Sequence, residues 1–346
     1  MKKFFILFAI LFALTSCDIG QQPNAVNNIS ANSQEVSDKK TQVSASIIPL
    51  ASIINRVGGD YVEVQTIVPA GVSPHGFDLS ARKVAEMSDD QAIFMIGSDE
   101  IDWFLMDASQ EEKQVHLGDG IELLESAPHN HDDHEDEHDH EDEHEHEDEH
   151  DHEDEHDHED EHDHEDEHDH EDEHDHSHDP HVWLGKDNII LIAERVRDKL
   201  SEIMPEQREY FWENTESFKA EIEEIYESFE EEISGKTPKE FIVFHDAYNY
   251  LLESIDVSQN YKIVFTENVM GETWTAHIAE LSDEVERHEI DTIFVEPQFN
   301  TSSIQSFIDE YTMNVLMLDP LGQDESANGY TQNLQNNLNT ISAIYE

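Results

Sequence analysis

Three histidines stand at positions where imidazole nitrogens could bind a metal ion. His75 lies in the proline-stiffened segment PAGVSPHGFD, His181 lies in DPHVWL, and His245 lies in FHDAY, directly after an apolar run. Asp319 follows another apolar run, in LDPLG. Imidazole nitrogens, together with one carboxylate or a water, suit Zn²⁺ in tetrahedral geometry. The spacing alone leaves open the alternative that each histidine is a hydrogen-bonded structural residue.

The elements that position these side chains follow from the hydrophobic pattern. Short apolar runs alternate with amphipathic stretches over most of the chain, which predicts β–α units and largely parallel sheets. Ligands of such sheets collect at the carboxyl ends of the strands. We therefore expect His75 and His181 from a first lobe to face His245 and Asp319 from a second. A periodic stretch that Pro205 opens predicts one long helix between the lobes.

The predicted organisation is that of an α/β protein with two lobes and an N-terminal extension. Its parts are an export signal (residues 1–16), a flexible tether (17–40), a first α/β lobe (41–204), a connecting helix (205–236) and a second α/β lobe (237–346).

The N-terminus predicts export and lipid attachment. A basic start is followed by an apolar core over residues 4–14, which is too short to span a bilayer core of about 30 Å as a helix. A cleaved export signal fits this pattern. The signal ends in LTSC, which resembles a bacterial lipobox, and Cys17 would then carry the lipid. Because Cys17 is the only cysteine, an intramolecular disulfide and a thiolate metal site are excluded.

The charge of the chain excludes one class of partner. The chain carries 18 Lys and Arg against 83 Asp and Glu, a formal net charge of −65. Such a chain repels phosphate backbones, so nucleic-acid binding is excluded.

Much of this charge lies in one insert in the first lobe, at residues 129–178. Between His129 and Pro180 there are 18 histidines, 31 acidic residues and neither lysine nor arginine. The repeat HDHEDE contains no apolar residue, so we expect a mobile loop. Histidines among carboxylates can bind divalent ions weakly, although a merely solubilising acidic loop stays possible. The candidate weak sites are His138, His140, His144, His146, His150, His152, His156, His158, His162, His164, His168, His170, His174 and His176.

Taken together, the motifs resemble the zinc- and manganese-binding subunits of ABC importers, the cluster A-I solute-binding proteins. The similarity is greatest to the zinc-specific, ZnuA-like group, and it covers roughly residues 43–345. It is carried by PAGVSPHGF, DPHVWL, FHDAY, FVEPQF and LDPLG. The resemblance implies (β/α)₄-type lobes, a long rigid connecting helix and a metal site in the interlobe cleft. It also implies His75, His181 and His245 as ligands.

The resemblance also bears on the identity of the metal. Manganese members of the family typically carry Glu where His245 stands. Three neutral imidazoles favour Zn²⁺ over Mn²⁺, which prefers carboxylate oxygen. Asp319 is expected as the fourth ligand, with water as the alternative, and Glu296 is expected behind the ligands. The remaining histidines outside the insert are interpreted as surface or helix residues: His116, His277 and His288.

The expected function is capture of Zn²⁺ outside the cytoplasmic membrane and delivery to an ABC permease with its ATPase subunit. The protein would be a monomer, lipid-anchored at the periplasmic face of the inner membrane, or at the outer face of a single cytoplasmic membrane. The insert would scavenge or sense zinc, and no enzyme activity is expected. The alternatives are a manganese-binding homologue, an extracytoplasmic metal buffer and, last, a His₃ zinc hydrolase.

Overall fold

The computed structural model describes residues 40–106, 111–125, 178–257, 261–263 and 272–346. The expected export signal, Cys17, the tether up to residue 39 and the fourteen repeat histidines of the insert lie outside the described residues. Within the described ranges, no helix combines the length and the apolar character that a membrane crossing requires.

Two four-stranded sheets form the framework of the described chain. Their strands are β1 (Thr41–Ala45), β2 (Val62–Thr66), β3 (Ile93–Met95), β4 (Gln114–His116), β5 (Phe241–Val243), β6 (Tyr261–Ile263), β7 (Thr292–Val295) and β8 (Asn314–Met317). The first sheet has the order β2-β1-β3-β4, and the second has the equivalent order β6-β5-β7-β8. Every strand pair is parallel, which confirms the predicted sheet type.

Nine α-helices are seen in the described residues. They are α1 (Ile48–Gly58), α2 (Ala81–Glu86), α3 (Trp103–Met106), α4 (Lys186–Ile203), α5 (Arg208–Ile233), α6 (Asn249–Glu253), α7 (Glu272–His288), α8 (Gln305–Tyr311) and α9 (Gly329–Ile341). The start of α2 shows how local chemistry sets a boundary, because the Ser80 hydroxyl accepts a hydrogen bond from the Lys83 amide at 3.3 Å. The end of α1 is set by Gly59, whose φ of 54° is readily adopted only by glycine.

Helix α5 is the long helix that the sequence predicts between the two sheets. It begins at Arg208 rather than at Pro205, because Pro205–Gln207 form a 3₁₀ turn before the α-helix starts. Its 26 residues give a length of about 39 Å. Phe211, Phe218 and Ile222 form part of a buried stripe on this helix. The helix packs against α1 and α4, which precede it in the sequence, and against α9, which follows it. It therefore joins elements from both halves.

A second connection between the halves runs beside the candidate site. The Trp183 indole Nε1 donates to the Pro320 carbonyl at 2.7 Å, and the Tyr330 hydroxyl donates to the Trp183 carbonyl at 2.7 Å. Trp183 is fully buried. These bonds fix the segment that carries His181 against the loop after β8 and the start of α9.

Candidate metal centre

Each of the three histidines is placed by a short, conformationally restricted segment. His75 lies in a 3₁₀ turn, Pro74–Gly76, in the loop between β2 and α2. His181 precedes the 3₁₀ turn Val182–Leu184 that leads into α4. His245 follows the end of β5, separated from it only by Phe244. His245 therefore lies at the carboxyl end of a strand, whereas His75 lies within a loop, well beyond the end of β2.

The three imidazole rings lie against one another in one cluster. The ring centroids are 5.2 Å apart for His75 and His181, 5.4 Å for His75 and His245, and 5.2 Å for His181 and His245. One nitrogen from each ring lies within 4.8 Å of the others, and the two Nε2 atoms of His75 and His181 are 3.2 Å apart. His181 and His245 are buried, with 3% and 6% of their surface exposed.

Carboxylates hold the outward nitrogens of two rings. The Nδ1 of His181 lies 2.7 Å from Asp179 Oδ1, and the Nδ1 of His245 lies 3.2 Å from Glu296 Oε1. Because an ionised carboxylate can only accept, each Nδ1 donates the hydrogen bond, and Nε2 is the nitrogen of each ring that can bind a metal ion. The ring of His75 hydrogen bonds to the backbone of Glu100, so its Nε2 faces the cluster as well.

This arrangement suits a cation with tetrahedral geometry. The Nε2 atoms of His75 and His181 are 3.2 Å apart, a separation at which one cation can contact both. Zn–N bonds of 2.0–2.1 Å in a tetrahedron place neighbouring nitrogens about 3.3 Å apart. Carboxylates behind ligating histidines fix the tautomer and raise the basicity of the ligand. The His75–His181 pair has this spacing, and His245 brings a third ring nitrogen within 4.8 Å, with Glu296 behind its ring.

The electrostatics of the cluster keep His75 neutral. Burial lowers the pKa of His75 to about 2, and repulsion by His181 and His245 adds to this effect. A neutral imidazole is the form that binds a metal ion. Protons therefore compete little for this ligand over the physiological pH range.

Asp319, the expected fourth ligand, does not join the cluster. Its Oδ1 accepts hydrogen bonds from Gln298 Nε2 at 2.7 Å, from Leu321 N at 3.1 Å and from Gly322 N at 2.9 Å. Its Oδ2 accepts one from Gln323 Nε2 at 2.9 Å. The group of potential ligands within 4.8 Å of one another contains the three histidines and not Asp319. The carboxylate is thus occupied in fixing its own loop.

Asp179 is the functional residue that the sequence analysis missed. Its side chain is fully buried, and Oδ1 accepts both from the His181 ring and from the His181 backbone N–H at 2.8 Å. Its Oδ2 accepts from Asn249 Nδ2 at 2.9 Å, and the same Asn249 nitrogen donates to Asp246 Oδ1 at 2.9 Å. Asp179 thereby links the His181 segment to the segment after His245. The sequence feature that could have identified Asp179 is its position two residues before His181, with Pro180 between them.

The other histidines have ordinary local partners. His116 lies on the edge strand β4, with Nδ1 3.8 Å from Asp119 Oδ1. His288 ends α7, and its Nδ1 lies 2.9 Å from Glu240 Oε2. Neither belongs to the cluster. The side chain of His277 lies outside the described residues.

Comparisons with known proteins agree with this geometry. A family model described as "Zinc-uptake complex component A periplasmic" (ZnuA) matches residues 43–344. The high-affinity zinc uptake system protein ZnuA of Haemophilus influenzae is 39% identical over 291 residues, which are 81% of this chain and 85% of that protein. The zinc-binding lipoprotein AdcA of Streptococcus pneumoniae is 23% identical over 328 residues, which are 93% of this chain and 56% of AdcA.

The solved structures show the same fold. A crystal structure of ZnuA matches with a TM-score of 0.67 at 20% identity, and the match covers 88% of this chain and 99% of that one. The two-lobe α/β architecture with a central helix, predicted from the sequence, is confirmed. On the family match and the identity to the Haemophilus protein, the chain belongs to the ZnuA family.

Proposed function

We propose that this protein captures Zn²⁺ outside the cytoplasm and delivers it to an ABC importer permease driven by a separate ATPase. The observation that carries the proposal is that His75, His181 and His245 each bring one ring nitrogen to within 4.8 Å of the others, and that carboxylates lie behind two of these rings. Family membership supports it, because ZnuA-type proteins are solute-binding components of importers and not enzymes. Relatives named for zinc uptake and zinc binding support the choice of ion.

The ligands we assign are His75, His181 and His245. Three neutral imidazoles form a donor set of borderline softness, which favours Zn²⁺ over Mn²⁺. Asp179 and Glu296 lie behind the rings, where their negative charge offsets that of the bound ion without contacting it. Among the described residues, the group of potential ligands contains no carboxylate of the kind that Mn²⁺ prefers, which argues against a manganese site.

The attachment we propose is a lipid on Cys17, with the folded part held outside the cytoplasmic membrane. The LTSC sequence supports this placement, and one relative is itself named a lipoprotein. We propose a monomer that docks on the permease as a single unit.

A growth experiment tests the transport function. Cells that lack this protein should stop growing in medium treated with a zinc chelator, and added zinc but not manganese should restore growth. The wild-type gene should restore uptake of radioactive zinc, and a gene carrying His245→Asn should not. If manganese alone restored growth, the protein would be a manganese-binding member of its family.

The base of the histidine-rich insert lies beside the metal centre. Glu125 and His178 form an antiparallel bridge, and the Asp179 N–H donates to the Leu124 carbonyl at 2.8 Å. Glu125 and His178, the described residues on either side of residues 126–177, thus meet next to the Asp179 carboxylate, which binds the His181 ring. We propose that the insert collects zinc weakly close to the tight site.

Removing residues 129–177 should leave one tight zinc site and remove the weaker ones, as measured by calorimetric titration at pH 7.5. Keeping His178 preserves the bridge to Glu125. In the full chain, the weak sites should be lost near pH 6, because free imidazoles protonate around pH 6.5. The tight site should outlast the weak ones as the pH falls, because its ligand His75 stays neutral: burial lowers the pKa of His75 to about 2. Unchanged stoichiometry after the deletion would contradict the scavenging role.

A further inference from the structure

Gln298 is held in one orientation at the edge of the histidine cluster. It follows β7 in the segment EPQF, and its Nε2 donates to Asp319 Oδ1 at 2.7 Å. The Asp319 oxygen also accepts from two backbone N–H groups, and an ionised carboxylate can only accept hydrogen bonds. The NH₂ end of the Gln298 amide, which is its donor, must therefore face Asp319. The amide oxygen, Oε1, therefore points away from Asp319.

The Oε1 atom of Gln298 has no hydrogen-bond partner within the described part of the chain, although it is fully buried. Gln298 lines the same small cavity as His75, His181 and His245. Buried acceptors without a partner are rare, and each calls for an explanation such as an ion or a water. A cation in the cavity would supply the missing partner.

The size of the cavity limits what can occupy it. The space between these side chains has a volume of about 10 Å³, close to the minimum for one water-sized particle. An ion bound by three imidazoles would fill it and leave no room for a separate water. A tetrahedral ion needs a fourth donor, and the side-chain carbonyl oxygen of Gln is an oxygen donor that binds Ca²⁺ in other proteins.

We propose that Gln298 Oε1 is the fourth donor to the ion and that Asp319 is the residue that aims it. The inference rests on the proposed zinc site. It gives Asp319 a positioning role, which agrees with the four hydrogen bonds that occupy its carboxylate. The inner donor set is then electrically neutral, with three imidazoles and one amide. The three imidazoles, and not Gln298, favour Zn²⁺ in this set, because a carbonyl oxygen also suits Mn²⁺.

The test compares two glutamines that donate to the same carboxylate. Gln298→Leu removes the proposed donor at similar size. Gln323→Leu removes the other bond to Asp319, at 2.9 Å to Oδ2, from a side chain that does not line the histidine cavity. Zinc affinity of the full mature chain is measured by competition with a tight chelator, which keeps the weak sites of the insert empty. Melting of the metal-free variants checks that both fold.

We expect Gln298→Leu to weaken zinc binding at least about tenfold and to change the visible spectrum of bound Co²⁺, with Gln323→Leu close to wild type. Gln298→Glu keeps an oxygen donor and should retain zinc while raising the relative affinity for manganese. Equal affinities and spectra for both leucine variants would overturn the inference. So would ionisation of a metal-bound water, seen as a pH-dependent Co²⁺ spectrum between about pH 7 and 9. Absence of tight zinc binding in the wild type would instead refute the proposed function.

Discussion

Replacing His245 with asparagine should remove the tight zinc site while leaving the fold intact. The asparagine amide can still donate to Glu296, which otherwise would be left as a buried carboxylate without its partner. It cannot reach into the cluster in place of Nε2. The ion would then lose one of three imidazoles, and we expect a loss larger than the roughly 10- to 100-fold typical of changes behind the ligands.

Competition with a zinc-binding dye measures this effect, with His116→Asn as the matched control. His116 is a half-buried histidine on β4 that lies outside the cluster, so its replacement should leave the affinity unchanged. Thermal melting with and without zinc gives a second reading, because an ion that binds only the folded state raises its stability. Tight binding by the His245 variant would show that the ion lies elsewhere.

Asp179→Asn should weaken zinc binding about 10- to 100-fold, although Asp179 does not touch the ion. The substitution keeps the size of the side chain and removes the charge that makes His181 a more basic ligand. It also replaces one carboxylate oxygen by an amide NH₂ group, which is a hydrogen-bond donor. In one orientation this NH₂ group faces the donating Asn249 nitrogen, and in the other it faces the donating Nδ1 of His181. In both orientations a hydrogen bond is lost, and the His181 ring is held less firmly.

The control for this prediction is Asp198→Asn. Asp198 is an exposed carboxylate on α4 that pairs with the neighbouring Arg197. The same dye competition is used for both variants, and melting of the metal-free proteins separates lost affinity from lost folding. A fall of less than twofold in Asp179→Asn would mean that the ring of His181 is held by its surroundings, chiefly Trp183, and not by the carboxylate.

The sequence predicted the elements and the three histidines because both depend on local patterns. β5 is a fully buried apolar run, and the residue that follows a strand at its carboxyl end necessarily reaches the sheet edge where ligands collect. The long helix was predicted from its periodicity, but its start was placed at Pro205. Proline suits the first turn of either helix type, so sequence alone does not separate the 3₁₀ turn from the start of α5.

The fourth ligand of the ion could not be predicted from strand ends in the same way. Asp319 also follows a strand at its carboxyl end, and by that criterion it resembles a ligand. Its carboxylate is instead bound by backbone N–H groups from its own loop and by Gln298, 21 positions earlier in the chain. Such long-range hydrogen bonds depend on side-chain orientation, which no spacing pattern encodes. The role of Asp179 depends similarly on a turn that folds its side chain back onto His181.

Competition between zinc and manganese for the protein lacking residues 129–177 tests whether the three histidines form one zinc-selective site. We expect one tight site that binds Zn²⁺ in preference to Mn²⁺ and is lost in His245→Asn. Equal or stronger manganese binding would contradict the argument from three neutral imidazoles. Absence of any tight site would move metal binding into the insert and would favour a metal buffer over an importer subunit.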